Sequence, residues 1–249
     1  MRVVALGGGH GLATTLRAVS RYADDVTAVV SVADDGGSSG RLREALDIPA
    51  PGDVRRALLA LSRADATWQD VFSYRFGAGD LEGHSLGNLI LAGLTQVTGS
   101  FESALRAAAN LLDVQGTVLP ATDGPVVIKA ESERGEVEGQ VAVERAGRIS
   151  AVTLIPADVA PPSEVPAAIA AADQVVIGPG SLFTSVIAAC LPDATRKAIA
   201  TAKGTVVYVC NLRENPETVG FDVSSHVDAL EGHGISPHVV LCDDAELRI

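Results

Sequence analysis

Two stretches constrain the fold of this 249-residue chain more than any others: RVVALGGGHGL at 2–12 and VTAVVSVADDGGSSGR at 26–41. Each is a nearly unbroken apolar run that ends in glycine. A strand wetted on one face alternates apolar and polar residues, whereas an uninterrupted run is covered on both faces, as in a parallel sheet between helices. Between the two runs, Thr14, Leu16, Val19 and Ser20 continue at helical spacing, so the opening reads as a βαβ unit, whose crossover is right-handed. QVVIGPGS at 174–181 and TVVYVCNL at 205–212 repeat the strand pattern later.

Between these ends the character changes twice. GDVRRALLALS, ATWQDVFSYRF, HSLGNLILAGLTQV and FESALRAAANLL each carry i, i+3, i+4 spacing, with Asp53, Thr67 and Ser85 as caps or first-turn residues. From Gln115 to Pro156, VVIKAES, EVEGQVAVE and RISAVTLIP read as β segments broken by ERG and RAG turns, a small meander inserted into or laid beside the main sheet. PSEVPAAIAAA, SLFTSVIAAC and VSSHVDALEGH then read as helices, and PHVVLCD as a last strand. With 47% hydrophobic residues and only 4% aromatic, the core is built of Ala, Val, Leu and Ile, which suits a sheet covered on both faces.

The formal net charge of −12 argues against nucleic acid as a partner, because neutralising phosphates needs clustered Lys and Arg. It does not argue against a small anion, which responds to a local field; the local cations are Arg41, Arg43, Arg55 and Arg56. Cys190, Cys210 and Cys242 stand far apart and read as reduced thiols, not as a zinc site or a disulfide framework. Met1 is followed at once by RVVALGGG, without the features of a signal peptide, and no apolar run reaches the roughly 18 residues of a membrane span. The expectation is a soluble, cytoplasmic protein with no membrane span.

In an open parallel sheet, ligands bind beyond the carboxyl ends of the strands. GGGHGL offers backbone amides of Gly8, Gly9 and Gly11 at a helix N-terminus, where phosphate is favoured. It is not a dinucleotide fingerprint, since the third glycine would fall at Leu12, so an NAD(P) oxidoreductase is a weak reading. His10 either faces the ligand or caps the turn. In DDGGSSGR, Asp34 and Asp35 repel each other unless a cation, hydroxyl or donor lies close. Gly36, Gly37 and Gly40 admit a ligand to the backbone, Ser38 and Ser39 add hydroxyls, and Arg41 suits bidentate phosphate contact; the bland alternative is a solvated hairpin. GPGS repeats the design at Gly178, Gly180 and Ser181, where the serine is a ligand contact or simply a helix cap. Asn211 reads as a base or sugar contact, or an ordinary turn. PGDVRRAL places Asp53 at a helix start, and EGHSLGNLIL sets His84 and Asn88 on one helical face. No GxSxG, HExxH, DxDxDG or basic–aromatic pattern is present.

In the same order, GGGHGL, VADDGGSSGRLR, PGDVRRALLAL, GHSLGNL, VVIGPGSLFTSVI and VVYVCNL with the following HVDAL resemble the YvcK-type gluconeogenesis factor family. That family is related to the 2-phospho-L-lactate transferases (CofD). The resemblance runs from Val3 to about Asp243. It implies an α/β fold, a Rossmann-like three-layer sandwich with a central, mostly parallel sheet and a β-meander inserted at about 115–156, one domain over 1–249. It further implies a nucleotide-type ligand, a UDP-sugar such as UDP-N-acetylglucosamine or UDP-glucose. The role implied is regulatory, linking gluconeogenic carbon metabolism to peptidoglycan synthesis and cell shape, with protein partners in cell-wall synthesis; homo-oligomerisation is compatible with a projecting meander. The transferase branch implies another chemistry, transfer of a lactyl-phosphate group from a guanosine diphospho donor to a deazaflavin with Mg²⁺. Catalytic candidates are then Asp34, Asp35 and His84, with Asp34 or Asp35 as the Mg²⁺ ligand. Two departures stand out. NLRENPETVGF is one residue shorter than the family's usual loop, where that family reads like TQPGET, and lacks its glycine; and the family's further C-terminal tail does not follow LCDDAELRI.

Overall fold

The computed structural model describes residues 1–243, so the end of LCDDAELRI, where the family tail would follow, lies outside the described residues. Among the described residues the strands are β1 (Arg2–Gly7), β2 (Asp25–Val30), β3 (Thr117–Pro120), β4 (Val127–Ser132), β5 (Gly135–Glu138), β6 (Ile149–Ile155), β7 (Gln174–Ile177), β8 (Thr205–Val209) and β9 (Val239–Leu241). The helices are α1 (Gly9–Val19), α2 (Gly37–Leu46), α3 (Pro51–Leu61), α4 (Ala66–Ser73), α5 (Leu86–Thr98), α6 (Phe101–Leu111), α7 (Gln140–Arg145), α8 (Glu164–Ala171), α9 (Ala188–Cys190), α10 (Asp193–Ala200) and α11 (Val223–Gly232). A π-helical segment, Leu182–Ile187, runs into α9, and a 3₁₀ turn spans Pro216–Thr218.

The main sheet has the order β3-β2-β1-β7-β8-β9 with every pair parallel. The chain builds outward from β1 to β3, then returns and builds the other way from β7. That reversal leaves a crevice beyond the ends of β1 and β7, where neither loop covers the other. Val3, Val4, Ala5, Leu6, Val29 and Val30 are all buried, as successive apolar residues in a doubly covered strand must be. Helices α1, α3, α5 and α6 pack on one another in one layer, while the segment 182–190, β6, α8 and α10 gather in the other.

Several expectations are corrected. The meander is smaller than 115–156: β3 joins the main sheet beside β2, and only β5-β4-β6 form the antiparallel sheet. EVEGQVAVE is not one β segment. Gly139, at φ +93, ends β5, and Gln140–Arg145 turn into α7 because Asp35 Oδ1, 106 positions away in sequence, accepts the Val141 N–H at 2.9 Å. A cap supplied by a distant residue is invisible to local periodicity. ATWQDVFSYRF stops being helical at Ser73, and Arg75 pairs with Ser85 in an isolated bridge. DDGGSSGR is a loop only as far as Gly36; Gly37 already opens α2. The helix α10 follows a proline and carries Thr195, Ala198 and Ile199 on its buried side.

Candidate functional site

At the reversal point lies a cleft of about 830 Å³. The turn after β1 supplies Gly8, Gly9, His10 and Gly11, and the turn after β7 supplies Pro179, Gly180 and Ser181. Asp34 and Asp53 line it from the first half, Gln140 and Glu144 of α7 from the side, and Asn211, Arg213 and Asn215 from the second half. The two turns fit closely: a Cβ at Gly11 would stand 2.1 Å from the Pro179 carbonyl oxygen, so the helix start can reach the opposite turn only with glycine there. Gly178 is a backbone hinge behind the cleft, its N–H donating to the Leu6 carbonyl at 2.9 Å and its own carbonyl accepting from Thr15.

The α1 N-terminus carries its own anion. Asp53 Oδ2 accepts the Gly9 N–H at 2.6 Å, and the other carboxylate oxygen pairs with Arg56. Thus a carboxylate from the first turn of α3 occupies the position expected of a phosphate on the Gly9 amide. Burial raises the Asp53 pKa; Arg56 and the Gly9 amide oppose that rise and Asp34 adds to it.

The two aspartates of DDGG part company. Asp35 is committed to the α7 start and lines no part of the cleft, whereas Asp34, with Oδ1 held by the Gly36 N–H at 2.9 Å, does line it. Asp34 offers the hard oxygen chemistry that Mg²⁺ takes, alongside water and ligand phosphates. Arg41 is exposed and donates to the Glu82 carbonyl at 2.9 Å, away from the cleft, so the expected pairing of Ser38, Ser39 and Arg41 around one diphosphate is not assembled. Asn211 lines the cleft and is not an ordinary turn residue. Its amide clamps Gly180, Nδ2 donating to the carbonyl at 2.7 Å and Oδ1 accepting the N–H at 3.0 Å, which ties the end of β8 to the turn after β7. Ser181 holds the N-cap position of the π-helical segment without a side-chain capping bond.

Ser38, His84 and Asn88 come together, but not through one helical face as expected: α5 starts at Leu86, and His84 stands in the turn before it. Ser38 Oγ accepts from Asn88 Nδ2 at 3.1 Å and from the Ser85 N–H at 3.3 Å, and lies 3.1 Å from His84 Nδ1. Burial, with Arg41 and Arg75 nearby, lowers the His84 pKa, so the neutral ring accepts the Ser38 proton at Nδ1. Its hydrogen bonds make Ser38 a brace between α2 and the start of α5. Burial alone pushes the Cys190 thiol up to about 12 and so disfavours its reactive thiolate.

A smaller pocket of about 220 Å³ adjoins the cleft, sharing Asp34 and Arg56 with it and adding Gly36, Gly37, Ser38, Ser39, Asn88, Arg55 and Arg75. Arg55 and Arg56 stood out as cations in the sequence; Arg75 carried no signal, because only the bridge between Arg75 and Ser85 folds it back here. Outside the linings of both cavities, Glu217, also without a sequence signal, is buried and accepts the Phe183 N–H at 3.1 Å. Burial raises its pKa to about 7.

The family model described as 2-phospho-L-lactate transferase CofD matches residues 3–247. The chain belongs to the CofD family. Within it, the relatives at hand are gluconeogenesis factors. The chain is 45% identical to one from Halalkalibacterium halodurans, over 93% of this chain and 73% of that one. It is 44% identical to another from Bacillus subtilis, over 93% and 74%. A crystal structure of a Bacillus halodurans protein superposes with a TM-score of 0.93 at 43% identity, covering 98% of this chain and 81% of that one. This CofD-family chain therefore has the fold its motifs imply. Among the described residues no helix is long and apolar enough to cross a membrane.

Proposed function

We propose that this CofD-family chain is a nucleotide-sugar-binding regulatory protein that takes a UDP-sugar in the cleft at the sheet reversal and couples gluconeogenic carbon supply to cell-wall synthesis and cell shape. The observation that carries the reading is the cleft itself, about 830 Å³ at the crossover between β1 and β7. Small-molecule sites run to roughly 300–1,000 Å³, and this location is where such sheets bind nucleotides. The chemistry of the walls favours binding over turnover: Asp53 is tied to Gly9 and Arg56, and the Cys210 thiol is buried. Asp34 is the carboxylate left to take a sugar hydroxyl or to help hold Mg²⁺, which when bound would offset charge on the diphosphate. The gluconeogenesis-factor relatives support the carbon-metabolism half of the reading.

The test is calorimetric titration of UDP-N-acetylglucosamine, UDP-glucose and GDP into the purified protein, with and without Mg²⁺. Micromolar affinity for a UDP-sugar that falls at least tenfold in Asp34→Ala is the expected result. Preference for GDP, with Mg²⁺-dependent product formed from a guanosine diphospho donor, would replace the regulatory reading by phosphotransfer of the 2-phospho-L-lactate transferase type.

A further inference from the structure

The small pocket beside the cleft holds a buried positive charge, Arg55, whose hydrogen-bond acceptors are neutral and which forms no direct ion pair among the described residues. Arg55 is only 7% exposed. Its Nε donates to Asn88 Oδ1 at 2.9 Å and its Nη1 to the Phe72 carbonyl at 3.1 Å, both neutral acceptors. Among the described residues it forms no ion pair, and Asp53, the carboxylate one residue away in sequence, is already engaged by Arg56 and the Gly9 amide. Burial, with Arg56 and Arg75 adding like charge, lowers the Arg55 pKa to about 10. A guanidinium held out of water among two others is costly unless an anion joins it.

The facing wall is made to receive one. The ten-residue helix α2 opens there with Gly36 at its N-cap, no side-chain capping bond and no acidic residue in its first turn. The positive end of its dipole and the Ser39 hydroxyl therefore border the same space as Arg55 and Arg75. Guanidinium groups together with helix amides match a tetrahedral dianion better than a planar carboxylate, because more donors converge than two oxygens can use.

We propose that this pocket is a phosphate subsite separate from the nucleotide cleft, built on Arg55 and Arg75, that takes the phosphate of a second, small phosphorylated ligand. At about 220 Å³ it admits a phosphate and a short stem but not a nucleoside. Asp34 and Arg56 stand on the wall that the two cavities share. Simultaneous occupation rests on the nucleotide reading of the cleft; the anion site itself does not.

Inorganic phosphate is the probe. It is titrated into the full chain at pH 8 and constant ionic strength, with thermal unfolding and phosphorus-31 line width as readouts, first without nucleotide and then with saturating UDP-N-acetylglucosamine. Phosphate should raise the unfolding temperature where equimolar chloride does not, and UDP-N-acetylglucosamine should not displace it. Arg75→Ala, at an exposed position that folding tolerates, should weaken phosphate at least tenfold and leave UDP-N-acetylglucosamine affinity within twofold. Arg55→Lys, which keeps the charge but loses the planar fork, should weaken it as well. No stabilisation beyond chloride, indifference to Arg75→Ala, or displacement by the nucleotide would each overturn the proposal. Phosphate binding with the expected variant pattern, in a protein that takes no UDP-sugar, would sink the nucleotide reading and leave the anion site standing.

Discussion

The cleft and the side pocket share Asp34 and Arg56 but handle charge differently. In the cleft, Arg56 is paired with Asp53, the Gly9 amide is capped by the same carboxylate, and Asp34 and Glu144 add further negative charge to the walls. In the pocket, Arg55 and Arg75 hydrogen-bond only to neutral oxygens, and the α2 amides stand opposite. A protein with a net charge of −12 thus makes a local anion site by leaving two arginines, Arg55 and Arg75, without an ion pair among the described residues, and not by accumulating cations. Overall charge governs non-specific partners, whereas pairing within a few ångströms governs a site.

The sharpest way to break this contrast is to remove the cleft's own anion. Asp53→Ala strips Arg56 and the Gly9 amide of their partner and should cost about 3 kcal/mol in urea unfolding. Asp53→Asn keeps an acceptor for Gly9 without the buried charge and should cost about 1 kcal/mol or less. Equal losses in both variants would show that the charge, not the cap, is what Asp53 provides.

On the pocket side, Asn88→Ala removes the acceptor of Arg55 Nε and the donor to Ser38 together. It should destabilise by about 2 kcal/mol and lower phosphate affinity in the same step; loss of one without the other would uncouple the brace from the pocket.

The buried Glu217 is probed by pH. Burial raises the Glu217 pKa from 4.5 to about 7, so the folded state holds this proton more tightly than the unfolded chain. Stability should be full below about pH 4.5 and fall as pH rises to about 7. Glu217→Gln should flatten that fall and be more stable than the parent at pH 8 by on the order of 2 kcal/mol. An unchanged pH profile would place the titration elsewhere.

The smallest effect belongs to Arg41, which touches neither cavity. Arg41→Ala should change stability by less than about 0.5 kcal/mol and nucleotide affinity by less than about twofold. A tenfold loss of affinity would mean that the bound state draws Arg41 in from the Glu82 turn.

Much of this molecule was legible before folding. Unbroken apolar runs such as RVVAL and QVVI can only be buried on both faces, so the parallel sheet and its covering helices follow from composition along the chain. Glycine at the end of those runs marked the turns that now face each other across the cleft. The helical spacing of His84 and Asn88 was misleading: Asn88 meets Ser38 from α5, whereas His84 reaches it from the turn before the helix. Partnership over long separations was not legible. That Asp35 would cap α7 106 positions away, and turn half of an expected β segment into a helix, depends on where the meander lands. The same holds for Asn211 clamping Gly180, and for Asp53 reaching the Gly9 amide. It holds equally for Arg75, which borders the phosphate pocket only because the chain doubles back between α4 and α5. Local pattern is read by nearest neighbours and by one face of one element, and so it determines secondary structure and sheet type. Which polar groups satisfy one another, and which charge is left without a partner, is decided when distant segments compete for the same few donors and acceptors in the packed chain.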